Sequence, residues 1–553
     1  MSCDHPNRAL HVCATDIEIP AECKRMPLPS ILPSDYWQTI SITKTDIERL
    51  TAYLFEHEQP LTDEELLTAW VEQRLQAERE AAIQKQQAGG KLYLPREHYQ
   101  TGEALVFPAL GWKKGTVCAV RAGVNPTLGE FEVITVQFNG NETREFAAGL
   151  AEHKLNQPLE SLFGQSDDLT PQSVLEAHGD ELAGKLLAAL EAEGSLVRVA
   201  GRWFPRALLT DINVGHLNLV EAILEEAGGQ PLPTSVLLQQ LGLGEAVSPV
   251  LEFSLNQALY ADERFDEVGP AGEVLWCLRR TEPEDVRTVP ATLHYIPIEY
   301  DRSLLTEEML ALEAQLDDEL SELPPPRLLP GEVTITLTYP HWRAGTLPVS
   351  ARMRGLFPSA YEAPRVRFAL TDGESGKEIP AWVVRQHAYV AGLGELYQKY
   401  NLMPGSLITI RRDASNGKVI VQPHVRRPTR DWVRTVLVGS DGGIVFANLK
   451  QNITTEYDER MVIYVPDAAG VDEARAQTLK ARLPFEKLVE TMMRELSKLN
   501  VQGHVHAQEA YSAVNIIRRC PPGPLLAALA QTKRYTHVGD LHFRLISSAE
   551  ETE

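Results

Sequence analysis

Residues 264–276 read RFDEVGPAGEVLW: a short strand-forming run, a glycine-containing turn and a second run that ends in a tryptophan. The same order recurs in LVRVAGRWF at 196–204 and in RYTHVGDLHFRL at 534–545. Two short strands joined by a tight glycine turn are typical of a hairpin. Because the pattern occurs three times, we interpret it as an internal repeat that organises the fold.

Segments with apolar residues at helical spacing precede each hairpin. They are 172–177 and 180–193 before the first hairpin, 217–227, 234–241 and 249–261 before the second, and 483–499 before the third. Helices followed by a hairpin are the element order of a winged helix. The sequence therefore predicts three winged-helix-like units.

The second copy, residues 215–281, resembles the HARE family of winged helices. The resemblance rests on the helix at 255–261, the segment DERFDEVG at 262–269 and the wing residue Trp276. That family includes the acidic delta subunit of bacterial RNA polymerase and modules attached to restriction endonucleases and chromatin proteins. It implies a bacterial, transcription-associated role with RNA polymerase as a protein partner. The helices at 234–261 contain no Lys or Arg, the side chains that contact phosphates, which argues against direct DNA reading by this copy.

Length and composition indicate several folded domains. The chain has 553 residues, of which 43% are hydrophobic and 23% charged, so cores can form at roughly 150 residues per domain. No run approaches the ~18 apolar residues of a membrane span, and the start MSCDHPNRALHVC lacks a secretory signal pattern. We expect a cytoplasmic or nucleoid-associated protein without membrane contact.

The first 150 residues predict an extended leader, a helix pair and a small barrel. Apolar spacing from Thr45 to about Ala82 indicates two helices, the second starting at a capping box of Thr62 and Glu65, and 84–90 (QKQQAGG) reads as a linker. Short strand-forming runs separated by glycine turns fill 99–150. The motif GEALVFP at 102–108, followed by GTV at 115–117, resembles SH3-like barrels of the Tudor, KOW and CarD kind, which implies protein binding.

Positive charge is concentrated in one part of an acidic chain. The net charge is −23, but residues 341–435 contain 15 Lys or Arg against 7 Asp or Glu, with 12 arginines among them. Arginine suits bidentate contacts with phosphate or guanine. The candidate nucleic-acid-binding residues are Arg343, Arg352, Arg354, Arg365, Arg367, Arg385, Arg411, Arg412, Arg426, Arg427, Arg430 and Arg434.

Two further features bear on this basic region. A predicted helix at 385–400 and the turn Leu402-Met-Pro-Gly405 before a strand at 406–410 resemble the DNA-binding pseudobarrels of plant B3 and restriction-enzyme domains. The alternative is that the arginines pair with acidic segments of the same chain. The most acidic segment, 299–322, predicts an amphipathic helix followed by a Pro-rich spacer, which serves either as a linker or as a docking surface for a basic partner.

Sequence motifs for catalysis and metal binding are absent or weak. The chain has no P-loop, His-Glu-x-x-His, Cys-x-x-Cys or Gly-x-Ser-x-Gly pattern. Cys3, Cys13 and Cys23 lack zinc-knuckle spacing, and the pair His504 and His506 with Glu509 lacks further ligands, so a solvated helix start is the preferred reading there. A nuclease centre would need clustered carboxylates and a lysine, for which the nearest set is Asp467, Asp472, Glu473 and Lys480. We therefore predict no catalytic residues, no metal site and no cofactor.

Together these patterns predict an α+β multi-domain protein with winged-helix units, an SH3-like barrel and a mainly-β arginine-rich domain. The expected boundaries are leader 1–43, helix pair 44–90, barrel 91–156, winged-helix-like unit 165–210, HARE-like unit 211–285, acidic helix and Pro linker 299–330, arginine-rich domain 331–440 and C-terminal domain 441–553. The expected function is a non-enzymatic adaptor that binds DNA through 341–435 and proteins, such as RNA polymerase, through its acidic units. The alternatives are a protein scaffold without nucleic-acid contact and a nuclease or accessory component of a DNA-defence system.

Overall fold

The computed structural model describes residues 35–87, 90–107, 110, 113–124, 130–138, 142–151, 153, 156, 170–243, 248–415, 417–440, 442–531 and 534–546. They divide into two compact bodies. Body 1 holds the described residues up to Val197 together with Arg202–Leu208, and body 2 holds Arg198–Gly201 and those from Leu209 onward. Helices and several separate sheets make up the chain, which confirms the predicted α+β multi-domain class.

Body 1 contains four helices and eight strands among its described residues. In chain order these are α1 (Tyr36–Thr39), α2 (Lys44–His57), β1 (Leu61–Thr62), α3 (Asp63–Gln87), β2 (Lys91–Leu92), β3 (Ala104–Phe107), β4 (Lys113–Ala122), β5 (Glu132–Phe138), β6 (Thr143–Ala148), α4 (Pro171–Glu193), β7 (Leu196–Val199) and β8 (Arg202–Pro205).

The helix pair and the first hairpin share one hydrophobic core, although more than 80 residues separate α3 from α4. Leu54 and Trp70 pack there with Leu186 and Trp203. The two-residue strand β1 pairs antiparallel with β8, and Trp203 Nε1 donates to Asp63 Oδ1 at 2.7 Å. Residues 44–87 and 171–205, which the sequence analysis treats separately, therefore form a single helix–hairpin unit, called repeat 1 below.

Several local expectations in body 1 are confirmed and others need correction. The capping box is present: Thr62 N donates to Glu65 Oε2 at 2.8 Å, and Glu65 N donates to Thr62 Oγ1 at 3.2 Å. The expected linker at 84–90 starts too early, because α3 continues to Gln87. The expected helices 172–177 and 180–193 are one helix, since Gly179 lies in its interior with no cap beside it. The end of the expected leader forms α1, where Trp37 is buried.

The segment between α3 and α4 forms a five-stranded sheet in the sequential order β2-β3-β4-β5-β6. The β3–β4, β4–β5 and β5–β6 pairs are antiparallel, and a register shift between Val117 and Ala119 bends β4. Tyr93, Phe107 and Val136 are buried in its core. The strand-forming runs expected in 99–150 are confirmed as β3, β4, β5 and β6, and β2 precedes that range.

Body 2 contains the remaining elements. They are α5 (Val214–Glu226), β9 (Leu232–Pro233), α6 (Thr234–Gln240), α7 (Pro249–Tyr260), β10 (Phe265–Glu267), β11 (Leu275–Leu278), α8 (Glu284–Arg287), α9 (Glu307–Leu316), β12 (Glu332–Thr336), α10 (Tyr339–Ala344), β13 (Thr346–Pro348), β14 (Arg365–Asp372), β15 (Glu378–Val384), β16 (Tyr389–Ala391), α11 (Gly394–Lys399), β17 (Leu407–Arg412), β18 (Val419–Pro423), β19 (Val425–Val438), β20 (Ile444–Thr455), α12 (Ala468–Lys480), α13 (Phe485–Ser497), β21 (Val505–His506), α14 (Ala507–Ile517), α15 (Pro522–Leu529), β22 (Tyr535–Gly539) and β23 (His542–Leu545).

The three sequence repeats fold with the same strand order. In repeat 1 the sheet order is β1-β8-β7, in repeat 2 (residues 214–278) it is β9-β11-β10, and in repeat 3 (residues 485–545) it is β21-β23-β22. Each time, a two-residue strand before the second helix pairs antiparallel with the last strand of the hairpin. The aromatic residue of that last strand is buried: Trp203 and Phe543 are 1% exposed and Trp276 is 0% exposed. The repeated aromatic residue thus packs in the hydrophobic core of each unit.

The basic region forms a seven-stranded sheet followed by a long two-stranded ribbon. The sheet order is β12-β17-β18-β14-β15-β16-β13, and β19 pairs with β20 in the ribbon. The expected helix at 385–400 is wrong in its first half, because residues 389–391 form a strand paired with both β15 and β13. The expected turn before β17 is present. Gly405 has φ of +98°, and a Cβ there would lie 2.4 Å from Val462 Cα, so both backbone conformation and space require glycine.

The acidic segment 299–322 is helical only over α9, and it is not a linker. The helix ends at Asp317, which adopts a left-handed conformation with φ of 45°. Asp317, Asp318 and Glu319 then turn into body 2 and are buried. Their oxygen atoms pair with Arg352, Arg519 and His341. The segment therefore docks within its own body instead of forming a free helical spacer.

Among the described residues, every helix is too short or too polar to cross a membrane.

Candidate nucleic-acid interface

Five of the twelve candidate arginines form ion pairs with carboxylates of body 2. Arg343 and Arg352 lie 2.7 and 2.9 Å from Asp472 and Asp317, and Arg365 contacts both Asp266 at 2.5 Å and Glu282 at 3.0 Å. The other two pairs are Arg426 with Asp431 and Arg434 with Glu509. For these residues the alternative that the arginines pair within the chain is correct.

Burial separates structural arginines from surface ones within this group. Arg434 is 8% exposed, and burial lowers its pKa although the Glu509 carboxylate opposes that effect. The Glu282 carboxyl has its pKa raised to about 7 by burial and by the neighbouring Asp266, against the effect of Arg365. Arg365 therefore pairs with two buried carboxylates, and Arg434 is itself buried beside the partly exposed Glu509, so we assign both arginines a structural role.

Three further arginines are held by neutral groups. Arg385 donates to the carbonyl oxygen of Ala363 at 2.8 Å, and Arg412 donates to that of Gly355 at 3.4 Å. Arg367 donates to Gln230 Oε1 at 2.9 Å, and its guanidinium carbon lies 5.9 Å from the Trp382 ring centroid. These contacts orient the three side chains, and no carboxylate of the described residues forms an ion pair with them.

The remaining four arginines are exposed. Within the described part of the chain, no hydrogen bond or ion pair holds the side chains of Arg354, Arg411, Arg427 and Arg430. Arg411 lies at the end of β17, and Arg354 precedes Gly355, whose carbonyl oxygen accepts from Arg412 at the end of the same strand. Arg427 and Arg430 lie on β19. The structure thus divides the candidate set into two surfaces at opposite ends of β18.

Of these two surfaces, the one on the ribbon combines cationic, amide and aromatic side chains. Its register places Arg430 opposite Asn452, Trp432 opposite Lys450 and Arg434 opposite Asn448. Directly paired residues point to the same face, and alternate residues of a strand share that face. One face therefore carries, in steps of about 6.8 Å, Arg430 with Asn452, Trp432 with Lys450, and the buried Arg434 with Asn448. We call this set of six residues the ribbon face.

Trp432 is the most unusual member of the ribbon face. Its side chain is 67% exposed, whereas Trp203 and Trp276 are fully buried. Lys450 Nζ lies 5.6 Å from the Trp432 ring centroid, a cation–π distance. An exposed aromatic ring beside unpaired positive charge is the combination that binds nucleobases and phosphates.

A pocket of about 450 Å³ adjoins the ribbon face where β19 approaches repeat 3. Arg434 and Asn448 form its ribbon wall, and Leu496 of α13 and Leu499 just after that helix form its apolar wall. The following loop completes the pocket. That loop contributes Asn500, Val501, Gln502 and His504. Neither Lys450 nor this pocket was predicted from the sequence. Lys450 lies beyond residue 435, where the counted basic region ends, and the pocket joins segments about 60 residues apart.

The third helices of the three repeats carry little positive charge. Helix α7 has no Lys or Arg, and all residues of α15 are buried. Helix α4 has one Lys or Arg residue, Lys185, whose Nζ lies 2.8 Å from Glu181 Oε1. These helices therefore do not present the basic surface that phosphate contact requires.

Four of the candidate catalytic and metal-binding residues, Asp467, Asp472, His506 and Glu509, have structural roles. Asp467 caps α12 by accepting a hydrogen bond from Gly470 N at 2.9 Å, and Asp472 is engaged by Arg343. His506 is the N-cap of α14 with Glu509 as its capping-box partner, so the predicted helix start is correct, but His506 is 3% exposed instead of solvated. Cys3, Cys13 and Cys23 lie outside the described residues. In the part of the chain that is described, no group of three His, Cys, Asp or Glu residues is arranged to hold a metal ion.

Comparisons of the chain with protein-family models, curated proteins and solved structures find no match in any of the three. The resemblances to HARE, SH3-like and B3 domains therefore remain hypotheses.

Proposed function

We propose that the protein is a non-enzymatic, nucleic-acid-binding adaptor whose basic contact surface is the exposed end of the ribbon. The observation that carries this proposal is the ribbon face, where Arg430, Lys450 and the exposed Trp432 lie together with no acidic partner among the described residues, and Arg427 lies on the same strand as Arg430. The nearest carboxylate on the strand, Asp431, is already engaged by Arg426. A phosphate backbone supplies the negative charge that this surface lacks.

Only some of the twelve candidate arginines belong to the proposed contact surface. Arg427 and Arg430, together with Lys450, make the principal phosphate contacts, and Arg354 and Arg411 extend the surface at the other end of β18. Arg365 and Arg434 support the fold instead. The acidic balance of the rest of the chain opposes nonspecific binding, so contact is restricted to this surface.

The adaptor part of the proposal concerns the helix–hairpin repeats. Their shared sheet order supports the winged-helix interpretation, and the exposed acids of α4, including Glu176, Asp180 and Glu191, favour a basic protein partner over DNA. RNA polymerase is the partner that the HARE resemblance implies. Co-purification from the native host with and without nuclease treatment tests this: the adaptor role predicts a protein partner that remains after nuclease treatment.

The nucleic-acid role is tested by a salt titration with the full chain. Fluorescence anisotropy with labelled oligonucleotides between 50 and 300 mM salt gives the slope of log affinity against log salt. Because each phosphate contact contributes roughly 0.7–0.9 to that slope, the variant Arg427→Ala/Arg430→Ala/Lys450→Ala is expected to lower it by about 2.

The matched control removes three exposed positive charges that have partners elsewhere. Lys113→Ala/Arg121→Ala/Arg144→Ala changes the net charge equally, but these side chains pair with Glu142 or Glu145 on the five-stranded sheet of body 1. It is expected to leave the slope unchanged. Absence of binding at about 50 mM salt, or an equal effect of the two variants, would contradict the proposal.

A further inference from the structure

We infer, building on the proposed nucleic-acid function, that the ribbon face selects single-stranded nucleic acid by stacking one base on Trp432 and holding a neighbouring base in the pocket beside Arg434. The ligand class is single-stranded nucleic acid, and the two subsites are the Trp432 ring and the pocket. It rests on the exposure of Trp432, on the register of the ribbon and on the lining of the pocket.

Trp432 is a solvent-exposed aromatic ring on which a base can stack, and folded proteins rarely expose a tryptophan to this extent. Two thirds of its side chain is exposed, on a strand whose next residue, Val433, is buried. Lys450 lies opposite it in the ribbon, with its ammonium group 5.6 Å from the ring centroid. A base stacked on this ring would bring its phosphate within reach of Lys450, and Arg430 lies one step further along the same face.

The pocket is the next position along the face. Trp432 and Arg434 are two residues apart on β19, so their side chains share a face about 6.8 Å apart. Arg434 and its pair partner Asn448 form the ribbon wall of the pocket. A strand that stacks one base on Trp432 therefore places an adjacent base at the pocket entrance.

The lining suits a planar base with a polar edge. Leu496, Leu499 and Val501 contribute apolar surface, and Asn448 and Gln502 contribute amide groups that both donate and accept hydrogen bonds. Arg434 cannot act as a free cation there, because Glu509 and the Arg460 carbonyl oxygen hold its guanidinium. Base edges, not phosphates, thus match the pocket, as in other sites that read unstacked bases.

Duplex nucleic acid does not satisfy these features. In a duplex the base faces are stacked on each other and the Watson–Crick edges are paired, so the Trp432 ring cannot stack on a base and the pocket amides cannot reach a Watson–Crick edge. The helices that would enter a major groove in a winged-helix protein, α7 and α15, have no Lys or Arg. The geometry therefore favours an unpaired strand.

The experiment compares 12-nucleotide homopolymers of dT, dC and dA with a duplex of mixed sequence, using the full chain and anisotropy at several salt concentrations. Single strands are expected to bind at least about tenfold more tightly than the duplex. Trp432→Ala is expected to weaken single-strand binding by about tenfold with an unchanged salt slope, while Trp432→Phe retains most of the affinity because the ring still stacks.

The pocket is tested by Asn448→Ala/Gln502→Ala. This double variant is expected to reduce the differences in affinity among the homopolymers, because it removes polar groups that read base edges and removes no charge. Thermal denaturation of each variant serves as the folding control, since Trp432 and Asn448 are exposed and their replacement leaves the core intact.

The outcomes distinguish the inference from the function on which it rests. Equal or tighter duplex binding, or an unchanged single-strand affinity in Trp432→Ala, would overturn the single-strand inference and leave the nucleic-acid role standing. Failure of both single strands and duplex to bind at about 50 mM salt would overturn the proposed function itself.

Discussion

Arg519 Nη2 lies 2.6 Å from Asp318 Oδ1, and both side chains are 1% exposed, although 201 residues separate them in the chain. The same guanidinium lies 2.7 Å from Glu319 Oε1, and the Tyr511 hydroxyl donates to Asp318. Burial alone would raise the pKa of Glu319, but the neighbouring Arg519 and His341 hold that pKa well below its usual value. The acidic segment is thus anchored in the core of repeat 3 by a charged network.

Removing one member of this network is expected to destabilise body 2 strongly. Asp318→Ala leaves a buried guanidinium with one counter-ion fewer, and the loss of a partner from a buried pair costs about 3–5 kcal/mol. Chemical denaturation should show this decrease in the free energy of unfolding. Asp301→Ala, on an exposed turn before α9, is the control and should change it by less than about 1 kcal/mol. A similar small effect of Asp318→Ala would contradict the assignment.

Arg365 provides a second test, because it was a nucleic-acid candidate by sequence. Its replacement by alanine leaves the buried pair Asp266 and Glu282 with Arg279, 3.6 Å from Asp266, as the remaining counter-charge, so a loss of about 2–4 kcal/mol at pH 8 is expected. Nucleic-acid affinity measured under conditions where the variant is folded should not change. Arg411→Ala should behave in the opposite way, with unchanged stability and weaker binding. A reduced salt slope in Arg365→Ala would show that this arginine contacts phosphate.

His506 is expected to make the protein less stable as pH falls. Burial, together with the charge of Arg460, lowers its pKa to about 4, while an unfolded chain has a value near ~6.5. Between these values the unfolded state binds a proton that the folded state excludes, so stability decreases as pH drops from about 6.5 to 4, by up to about 3 kcal/mol. Denaturation midpoints measured across this range should show the trend.

His506→Asn separates this contribution from other titrations. Asparagine can still cap α14, because its side-chain oxygen replaces Nδ1 as the acceptor for Gln508 N. The variant should therefore lose less stability between pH 6.5 and 4 than the parent protein. Parallel pH profiles for the two proteins would contradict the prediction.

Glu267 is expected to make the protein less stable as pH rises, which is the opposite of the effect of His506. Burial raises its pKa to about 7, and the nearby Glu362 and Asp266 add to this effect. Because the folded-state value exceeds the unfolded one, the contribution of Glu267 to stability is present below pH ~4.3 and is lost as pH rises through 7. Glu267→Gln should stabilise the protein at pH 8 by about 1–3 kcal/mol and have little effect near pH 4.5.

The control for this variant is Glu263→Gln, at an exposed position on the same segment. It should have little effect on the free energy of unfolding at either pH. A stabilisation by Glu267→Gln that is equal at pH 8 and pH 4.5 would show that the effect comes from packing and not from ionisation.

Much of the local structure of this protein was predictable from short stretches of sequence. The capping box of Thr62 and Glu65, the three helices of repeat 2 and the hairpin at 264–276 all depend on residues within a few positions of each other. Local spacing encodes hydrophobic periodicity, caps and turns, so these elements form as expected. The prediction was wrong where tertiary contacts decided the secondary structure. Residues 389–391 were expected to be helical but form a strand, because β13 and β15 pair with them on both sides.

The candidate site was only partly predictable. The charge count located the basic region and included Arg427 and Arg430, which remain exposed. It could not separate them from Arg365 or Arg434, because composition does not reveal whether a carboxylate distant in sequence lies beside a given guanidinium. Lys450 and the pocket were also not predicted. Lys450 is brought to the site by the pairing of β20 with β19, and the pocket forms because the end of α13 lies beside the ribbon.

The sequence by itself determined the repeated helix–hairpin pattern, the class of fold and the segregation of charge, because each of these depends on residue type and near-neighbour spacing. Only the tertiary structure decided that residues 44–87 and 171–205 share a core, that the acidic segment docks on Arg519, and which arginines remain available. Those outcomes depend on contacts between residues far apart in the chain, where burial makes an unpaired charge costly and so selects its partner.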